Sequence, residues 1–253
     1  MSASLLKVEN LSKSFGRVVT ANKLNFEIHA GEITSVIGPN GAGKSTLINV
    51  LSGLLSADGG RVYLRDREIT RMPTHRRVKL GLCRSFQVVN VFPQLTVFEN
   101  IQIPVLGILG KGHHIFRKLR KEPGVADRVM EVLERLNLVD RADSLASELS
   151  HGDQRLLEIG IALAVKPILL FLDEPTAGMN PVERVEILEN IRRLSATGRT
   201  TFVIVEHDMD VVFSLSDRVM VLHRGDIICD GTPDIVKNDE QVRECYLGEE
   251  VIE

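Results

Sequence analysis

Apolar and polar positions along the chain predict strands and helices in succession. Residues 168–172 (ILLFL) and Thr201–Val205 are short and almost wholly apolar, which is typical of parallel strands buried on both faces. Residues 32–38 (EITSVIG) are a similar strand that runs into a glycine-rich turn, and a helix should follow over Lys44–Ser52. This succession predicts an α/β fold with a parallel sheet.

The two ends of the chain predict further strands. Within about the first 30 residues, LLKVENL and NKLNFEIHAG show partial alternation, so we expect an antiparallel β subdomain there. Residues 219–222 and 227–229 flank the turn sequence Arg224-Gly225-Asp226, which predicts a hairpin.

Helical patterns dominate the middle of the chain, residues 88–160. Thr96 and Glu99 have the spacing of a capping box. A second helix should end at Asn137, and a third should cover residues 156–164. We therefore expect one domain over residues 1–253, with an α/β core (1–87 and 161–253) and an inserted helical lobe (88–160). The second helix is predicted from apolar residues at helical spacing: Val125, Val129, Leu133 and Leu136.

Composition narrows the function classes. The chain is 43% hydrophobic and 26% charged with a net charge of −3, so nothing in its charge predicts nucleic-acid binding. No stretch approaches the ~20 apolar residues of a membrane span. The first residues lack the features of a signal peptide, so we expect a cytoplasmic protein. Three widely spaced cysteines without metal-ligand spacing predict reduced, structural thiols.

Residues 38–45 (GPNGAGKS) fit the phosphate-binding pattern G-x-x-x-x-G-K-[ST] between a strand and a helix. Glycines let backbone N–H groups approach a triphosphate closely, and the helix N-terminus adds positive potential. Lys44 can reach the β- and γ-phosphates, and the Ser45 hydroxyl can ligate Mg²⁺. A plain glycine-rich turn is the alternative. The predicted nucleotide-binding residues of this loop are Gly38, Pro39, Asn40, Gly41, Ala42, Gly43, Lys44, Ser45 and Thr46.

Two acids end the apolar strand at residues 168–172. Asp173 should reach the sheet edge beside Ser45 and hold Mg²⁺ directly or through water, and Glu174 should polarise the attacking water as general base. The alternative is a strand that simply ends in two solvated acids.

Four further motifs resemble those of ABC ATPases, and the resemblance covers essentially the whole chain. Residues 149–155 (LSHGDQR) are similar to the LSGGQ signature, and Phe86-Gln87 to the Q-loop. Residues 177–180 (AGMN) occupy the D-loop position, and residues 206–208 (EHD) that of the switch histidine. A kinase or GTPase would share only the phosphate-binding loop and the acidic strand.

The resemblance implies two subunits paired head to tail around ATP. Ser150 and Gly152 of one subunit would face the γ-phosphate bound by the other. Gln87 would contact Mg²⁺ and the attacking water, and His207 would bind the γ-phosphate and steady Glu174. Phe15 would stack on adenine, unless it is a core phenylalanine at a turn.

The signature and D-loop depart from the family pattern at three positions. His151 replaces the usual first glycine of the signature, Asp153 replaces glutamine, and Asn180 replaces the D-loop aspartate. We expect the His151 side chain to face away from the phosphate. Ser150 and Asp153 also have helix-cap spacing, which is compatible with phosphate binding. Since the other motif residues are present, we expect an active ATPase.

Among ABC proteins the chain resembles the LivG-type ATPases of branched-chain amino acid importers. The stretches that carry this resemblance are residues 156–159, 177–181, 206–209 and 246–248, together with the segment 104–123. A urea-type importer or a lipopolysaccharide-export ATPase is the alternative. Soluble translation or repair ATPases fit poorly, because the chain has neither a second ATPase domain nor heptads.

The partners that the resemblance implies are a second ATPase subunit, identical or paralogous, and transmembrane permease subunits that hold the protein at the inner face of the membrane. We expect the helical lobe to dock the permease through residues 88–105, although a small local core would also explain that apolar density. The basic run 111–121 predicts a solvated loop, or a surface near anionic headgroups.

Overall fold

The structure is a computed structural model that describes residues 4–85, 91–110 and 124–247. These residues form ten strands and nine α-helices. The strands are β1 (Ser4–Phe15), β2 (Val18–His29), β3 (Ile33–Ile37), β4 (Gly59–Leu64), β5 (Arg67–Glu68), β6 (Leu82–Arg84), β7 (Leu169–Asp173), β8 (Thr201–Val205), β9 (Arg218–His223) and β10 (Asp226–Gly231). The helices are α1 (Lys44–Ser52), α2 (Thr74–Lys79), α3 (Val97–Ile108), α4 (Val125–Leu136), α5 (His151–Leu163), α6 (Pro181–Ala196), α7 (Met209–Leu215), α8 (Pro233–Asn238) and α9 (Glu240–Leu247).

The strands form two sheets. One is antiparallel, with strand order β2-β1-β4-β5. The other has the order β10-β9-β3-β8-β7-β6 and is parallel except for the β9–β10 hairpin. Strands β3, β7 and β8 are buried at every residue. The predicted α/β fold, antiparallel subdomain and hairpin are thereby confirmed.

Helices α3, α4 and α5 pack together over one face of the parallel sheet. Their buried side chains, such as Ile101, Leu133 and Ile159, join Leu172 and Ile204 of the sheet in one apolar cluster. The opposite face packs against α1 and the antiparallel sheet in a second cluster. The parallel sheet therefore lies between a layer of helices and a layer formed by α1 and the antiparallel sheet, and apolar side chains cover both of its faces.

Local signals set the helix ends as predicted in two cases. The Thr96 hydroxyl accepts a hydrogen bond from the Glu99 amide, and the Glu99 carboxylate accepts one from the Thr96 amide, which completes a capping box. Asn137 ends α4 in a left-handed conformation. The third predicted helix begins earlier than expected, because Ser150 caps α5 and the helix starts at His151.

Several predicted features lie outside the described residues: Phe86 and Gln87 of the Q-loop, and the basic run 111–121. None of the three cysteines, all within the described ranges, forms a disulfide, and burial raises the pKa of the Cys83 thiol to about 12. No helix among the described residues is both long enough and apolar enough to cross a bilayer.

Candidate nucleotide-binding site

The carboxyl ends of the parallel strands meet at one edge of the sheet, where open α/β sheets bind their ligands. Strand β3 ends there in the phosphate-binding loop, β7 ends in Asp173, and β8 is followed by Glu206 and His207. Parallel pairing sets Asp173 opposite Val205, so the acidic pair and the histidine come together although 33 residues separate Glu174 from His207.

The loop from Gly38 to Ser45 requires glycine at two positions because neighbouring backbone approaches it closely. A Cβ atom on Gly38 would lie 2.0 Å from the Leu222 carbonyl oxygen, and one on Gly43 would lie 2.2 Å from that of Thr20. Both glycines also have positive φ, 151° and 109°. The loop is therefore fixed between β9 and β2, with its backbone close to any bound phosphate.

Helix α1 begins at Lys44 directly after this loop. Among the residues that the structure describes, no side chain caps its N-terminus, and its first turn contains no acid. The Lys44 ammonium donates to the carbonyl oxygens of Gly38 and of Pro39, the latter at 3.1 Å, so it lies over the loop. Amides at an uncapped helix start beside a lysine suit a phosphate group.

Asp173 is 6% exposed, and its carboxylate forms an ion pair with Arg84 of β6, with 2.7 Å between Nη2 and Oδ2. Arg84 also donates to the Asn49 side-chain oxygen of α1. Sequence reasoning missed Arg84, since only the pairing of β6 with β7 brings it beside an acid 89 residues away. Arg84 thus sets the orientation of the Asp173 carboxylate.

Glu174 and His207, predicted as catalytic residues, lie next to each other. The His207 Nδ1 atom is 3.7 Å from Glu174 Oε1, and the His207 side chain is 66% exposed. Glu174 has a φ of 44°, which is uncommon outside glycine, and its amide donates to the Val205 carbonyl at 2.9 Å. The strand end thus holds the Glu174 main chain in a strained, defined conformation.

Glu206, the residue before His207, is a buried carboxyl that sequence reasoning quoted only as part of a motif. Its Oε1 accepts hydrogen bonds from the Thr176 hydroxyl at 2.7 Å and the Thr176 amide at 3.2 Å. Burial raises the pKa of Glu206 above its ordinary value. Glu206 therefore joins the segment after β8 to the segment after β7.

The signature residues lie at the start of α5. The Ser150 hydroxyl accepts from the Asp153 amide at 3.0 Å, so the predicted helix cap is present. The Gly152 amide donates to Glu183 of α6 at 3.3 Å. His151 is exposed, with its ring beside Gly178 of the D-loop. The first turn of α5 therefore contacts the D-loop and α6 of its own chain.

The structure also describes the surroundings of the third departure, Asn180, and of the predicted adenine contact, Phe15. Asn180 caps α6, because its side-chain oxygen accepts from the Val182 and Glu183 amides. Phe15 is 49% exposed at the end of β1, with the Lys13 ammonium 5.2 Å from its ring centroid. Phe15 is thus a surface residue rather than a core phenylalanine.

A magnesium ion would need ligands from more than the protein. Among the described residues, no group of three or more histidine, cysteine, aspartate or glutamate side chains is arranged to hold a metal. Mg²⁺ at nucleotide sites commonly takes one or two protein oxygens and completes its shell with phosphate and water. The Ser45 hydroxyl and the Asp173 carboxylate fit that pattern.

Comparison with protein families agrees with this geometry. The family described as "ABC transporter" matches residues 21–177, and the family "Branched-chain amino acid ATP-binding cassette transporter" matches residues 227–252. The second match covers β10, α8 and α9, outside the phosphate-binding motifs.

Curated relatives match along nearly the whole chain. The LivG transport ATP-binding protein of Escherichia coli K12 is 40% identical over 98% of this chain and 100% of its own length. A probable LivG of Archaeoglobus fulgidus is 38% identical, with 96% and 95% covered. BraF of Pseudomonas aeruginosa is 34% identical, with 98% and 100% covered.

Solved structures show the same fold. The ADP conformation of MJ1267, an ATP-binding cassette of an ABC transporter, has a TM-score of 0.87 at 34% identity, with 98% of this chain and 100% of that chain covered. The dimeric structure of MJ0796, a bacterial ABC transporter cassette, has a TM-score of 0.73 at 26% identity, with 90% and 98% covered. This chain therefore belongs to the ATP-binding subunits of ABC transporters, and its enzymatic activity is ATP hydrolysis.

Proposed function

We propose that this chain powers the import of branched-chain or other hydrophobic amino acids as an ATP-dependent dimer bound to permease subunits. The observation that carries the catalytic part is the pairing of Glu174 with His207 beside the phosphate-binding loop. The substrate class rests on the branched-chain family match at residues 227–252 and on the LivG and BraF relatives.

In the proposed reaction the loop amides and Lys44 bind the β- and γ-phosphates. Ser45, Asp173 and Gln87 would hold Mg²⁺, which would neutralise charge on the phosphates. Glu174 takes a proton from the attacking water, and the His207 ring orients the Glu174 carboxylate and donates to the γ-phosphate. Phe15 stacks on the adenine ring from its exposed position.

The second half of each ATP site comes from the partner subunit, through its Ser150 and Gly152 positions at the start of α5. Helix N-termini favour negative charge, so the γ-phosphate across the interface is a suitable ligand for them. The partner is a second copy of this chain or a paralogous ATPase subunit. The MJ0796 cassette, a structural neighbour, is dimeric.

The division into an α/β core and a helical lobe over residues 88–160 belongs to the proposal, as does permease docking by the lobe. Phe92 is 53% exposed, whereas Val91 is partly buried against the apolar cluster of the helical layer. Phe92 is therefore the better position for a charged replacement that spares folding. Docking would place the protein at the inner face of the cell membrane.

Size-exclusion chromatography tests whether dimerisation depends on ATP. Glu174→Gln protein is run on size exclusion with and without MgATP, and we expect a dimer only with MgATP. A monomer in both conditions, even with the permease present, contradicts the shared site.

Reconstitution with permease subunits in vesicles tests the substrate class. We expect ATP-dependent uptake of leucine and none of urea. Uptake of urea alone favours the urea-type importer, and ATP-dependent export of a lipid favours the lipopolysaccharide-type alternative. Phe92→Glu should keep the ATPase activity of the isolated subunit and lose uptake.

A further inference from the structure

Arg155 lies in the second turn of α5 and is almost completely buried, with 3% of its side chain exposed. The neighbouring segment after β7 carries the general base of the proposed function. Sequence reasoning gave Arg155 no role beyond membership of the signature stretch. Its contacts reach three consecutive main-chain carbonyl groups of that segment.

The guanidinium distributes its donors over those carbonyls. Nη2 donates to the Asp173 oxygen at 2.6 Å and to the Glu174 oxygen at 3.0 Å. Nε donates to the Pro175 oxygen at 3.3 Å. The remaining nitrogen, Nη1, pairs at 2.5 Å with Glu158, whose side chain is 5% exposed. Three carbonyls in a row are thereby held by one rigid planar group.

The carbonyls belong to a segment whose conformation needs support. Glu174 has a φ of 44°, and residues other than glycine keep such a conformation only where their surroundings hold it. The Glu174 amide is held from the sheet side by the Val205 carbonyl. Arg155 holds the carbonyl side, so both peptide groups of Glu174 are fixed. The direction of the Glu174 side chain follows from that main-chain conformation.

We propose that Arg155 is a positioning residue that sets the place of the Glu174 carboxylate by holding the main chain of Asp173, Glu174 and Pro175. The inference rests on the proposed role of Glu174 as general base. In the proposed dimer it also connects the two ATP sites, because Arg155 is five residues, or about 7.5 Å of helix, from Ser150, which faces the nucleotide bound by the other subunit. A shift of α5 is then transmitted to Glu174 of the same chain.

Removal of Arg155 alone would leave Glu158 buried without this cation, and breaking a buried ion pair from one side is strongly destabilising. The test therefore uses the pair of changes Arg155→Gln and Glu158→Gln, which removes both charges. The conservative variant Arg155→Lys keeps the charge but has fewer donors in a different geometry.

Arg77 provides a matched control for the loss of a buried arginine. It is 2% exposed and donates to the carbonyls of Val50 and Leu51, at the end of α1 away from the phosphates, and to those of Thr70 and Met72 before α2. Arg77→Gln should lower thermal stability about as much as the Arg155→Gln and Glu158→Gln double variant does. We expect its kcat to stay within about twofold of wild type.

For the Arg155/Glu158 double variant we expect kcat for ATP to fall by about 10- to 10²-fold, the size of effect that small misplacements produce. ADP affinity should stay within about twofold, and Arg155→Lys should have an intermediate kcat. In a Glu174→Gln background the same pair of changes should lower residual hydrolysis no further. ATP-dependent dimerisation in that background should persist.

Several results would overturn the inference. A double variant with wild-type kcat makes Arg155 a structural residue like Arg77. A further loss in the Glu174→Gln background, or loss of ATP-dependent dimerisation there, shows that Arg155 acts elsewhere. If the double variant does not fold, the test uses Arg155→Lys instead. A wild-type kcat of that variant rejects the proposal. Full activity of Glu174→Gln itself would reject the proposed general base first.

Discussion

The phosphate-binding half of the site and the signature half differ in how much of each the chain completes by itself. At α1, no side chain among the described residues caps the N-terminus, and glycines at Gly38 and Gly43 leave the backbone accessible. At α5, the amides already bind groups of the same chain: Asp153 to the Ser150 hydroxyl and Gly152 to the Glu183 carboxylate.

This contrast has a physical meaning. The first half is preorganised for an anion, so we expect nucleotide to bind there without the partner subunit. In the second half a carboxylate lies where the proposed γ-phosphate of the partner would approach. In the proposed dimer, Glu183 would have to release the Gly152 amide before that amide could donate to the phosphate.

The largest expected effect tests whether catalysis belongs to the first half. Glu174→Gln should lower steady-state ATP turnover by about 10²-fold or more, because the general base is lost, while ADP affinity is kept. Turnover is measured by phosphate release and affinity by calorimetry. Turnover within threefold of wild type would assign the base to another residue.

A pair of glycine changes compares the two halves directly. Gly43→Ala should weaken ADP binding by about tenfold or more, because the new Cβ would lie 2.2 Å from the Thr20 carbonyl oxygen at a φ of 109°. Gly152→Ala would place its Cβ 3.2 Å from the Glu183 Cγ, a contact that a flexible side chain can relieve. It should keep ADP affinity within about twofold and lose ATP turnover. Equal loss of ADP affinity in both variants would contradict the division into halves.

A smaller effect concerns the D-loop in the signature half. Asn180→Ala should lower the free energy of unfolding by about 1 kcal/mol, since two amides of α6 lose their acceptor. Asn180→Asp, which restores the residue usual in the family, should be within about 0.5 kcal/mol of wild type because both residues cap well. Chemical denaturation measures both. An equal loss in the two variants would show that the cap is not the cause.

The smallest expected effect is a change in the pH dependence of stability at Glu206, a buried residue next to His207. Its pKa is raised by burial, so the folded protein holds this proton more tightly than the unfolded chain does. The stability that the protonated Glu206 contributes is fully present below the ordinary pKa of 4.5. It is lost as the pH rises through the raised pKa of Glu206 in the folded protein. Glu206→Gln does not titrate, and its side-chain oxygen can still accept from the Thr176 hydroxyl. The variant should therefore gain stability over wild type as pH rises to neutrality, and a difference independent of pH would contradict this.

Local sequence was enough to predict most of the helices and strands, and the phosphate-binding half of the site. The phosphate-binding loop is contiguous, and its strand, glycines and helix act within a dozen residues. The limits of α1 and the capping box at Thr96 follow from short-range signals and were predicted correctly. The start of α5 was predicted too late, since the cap at Ser150 adds a turn that apolar spacing does not reveal.

The sequence by itself determined the chemistry of the site, because each motif carries its reactive groups in a contiguous run with a recognisable spacing. Tertiary structure alone decided which groups hold those motifs in place. Arg84 reaches Asp173 through the pairing of β6 with β7, and Arg155 reaches the carbonyls after β7 through the packing of α5. Such contacts join residues 18 to 89 positions apart, and their geometry is set by strand order and helix packing, which no local pattern specifies.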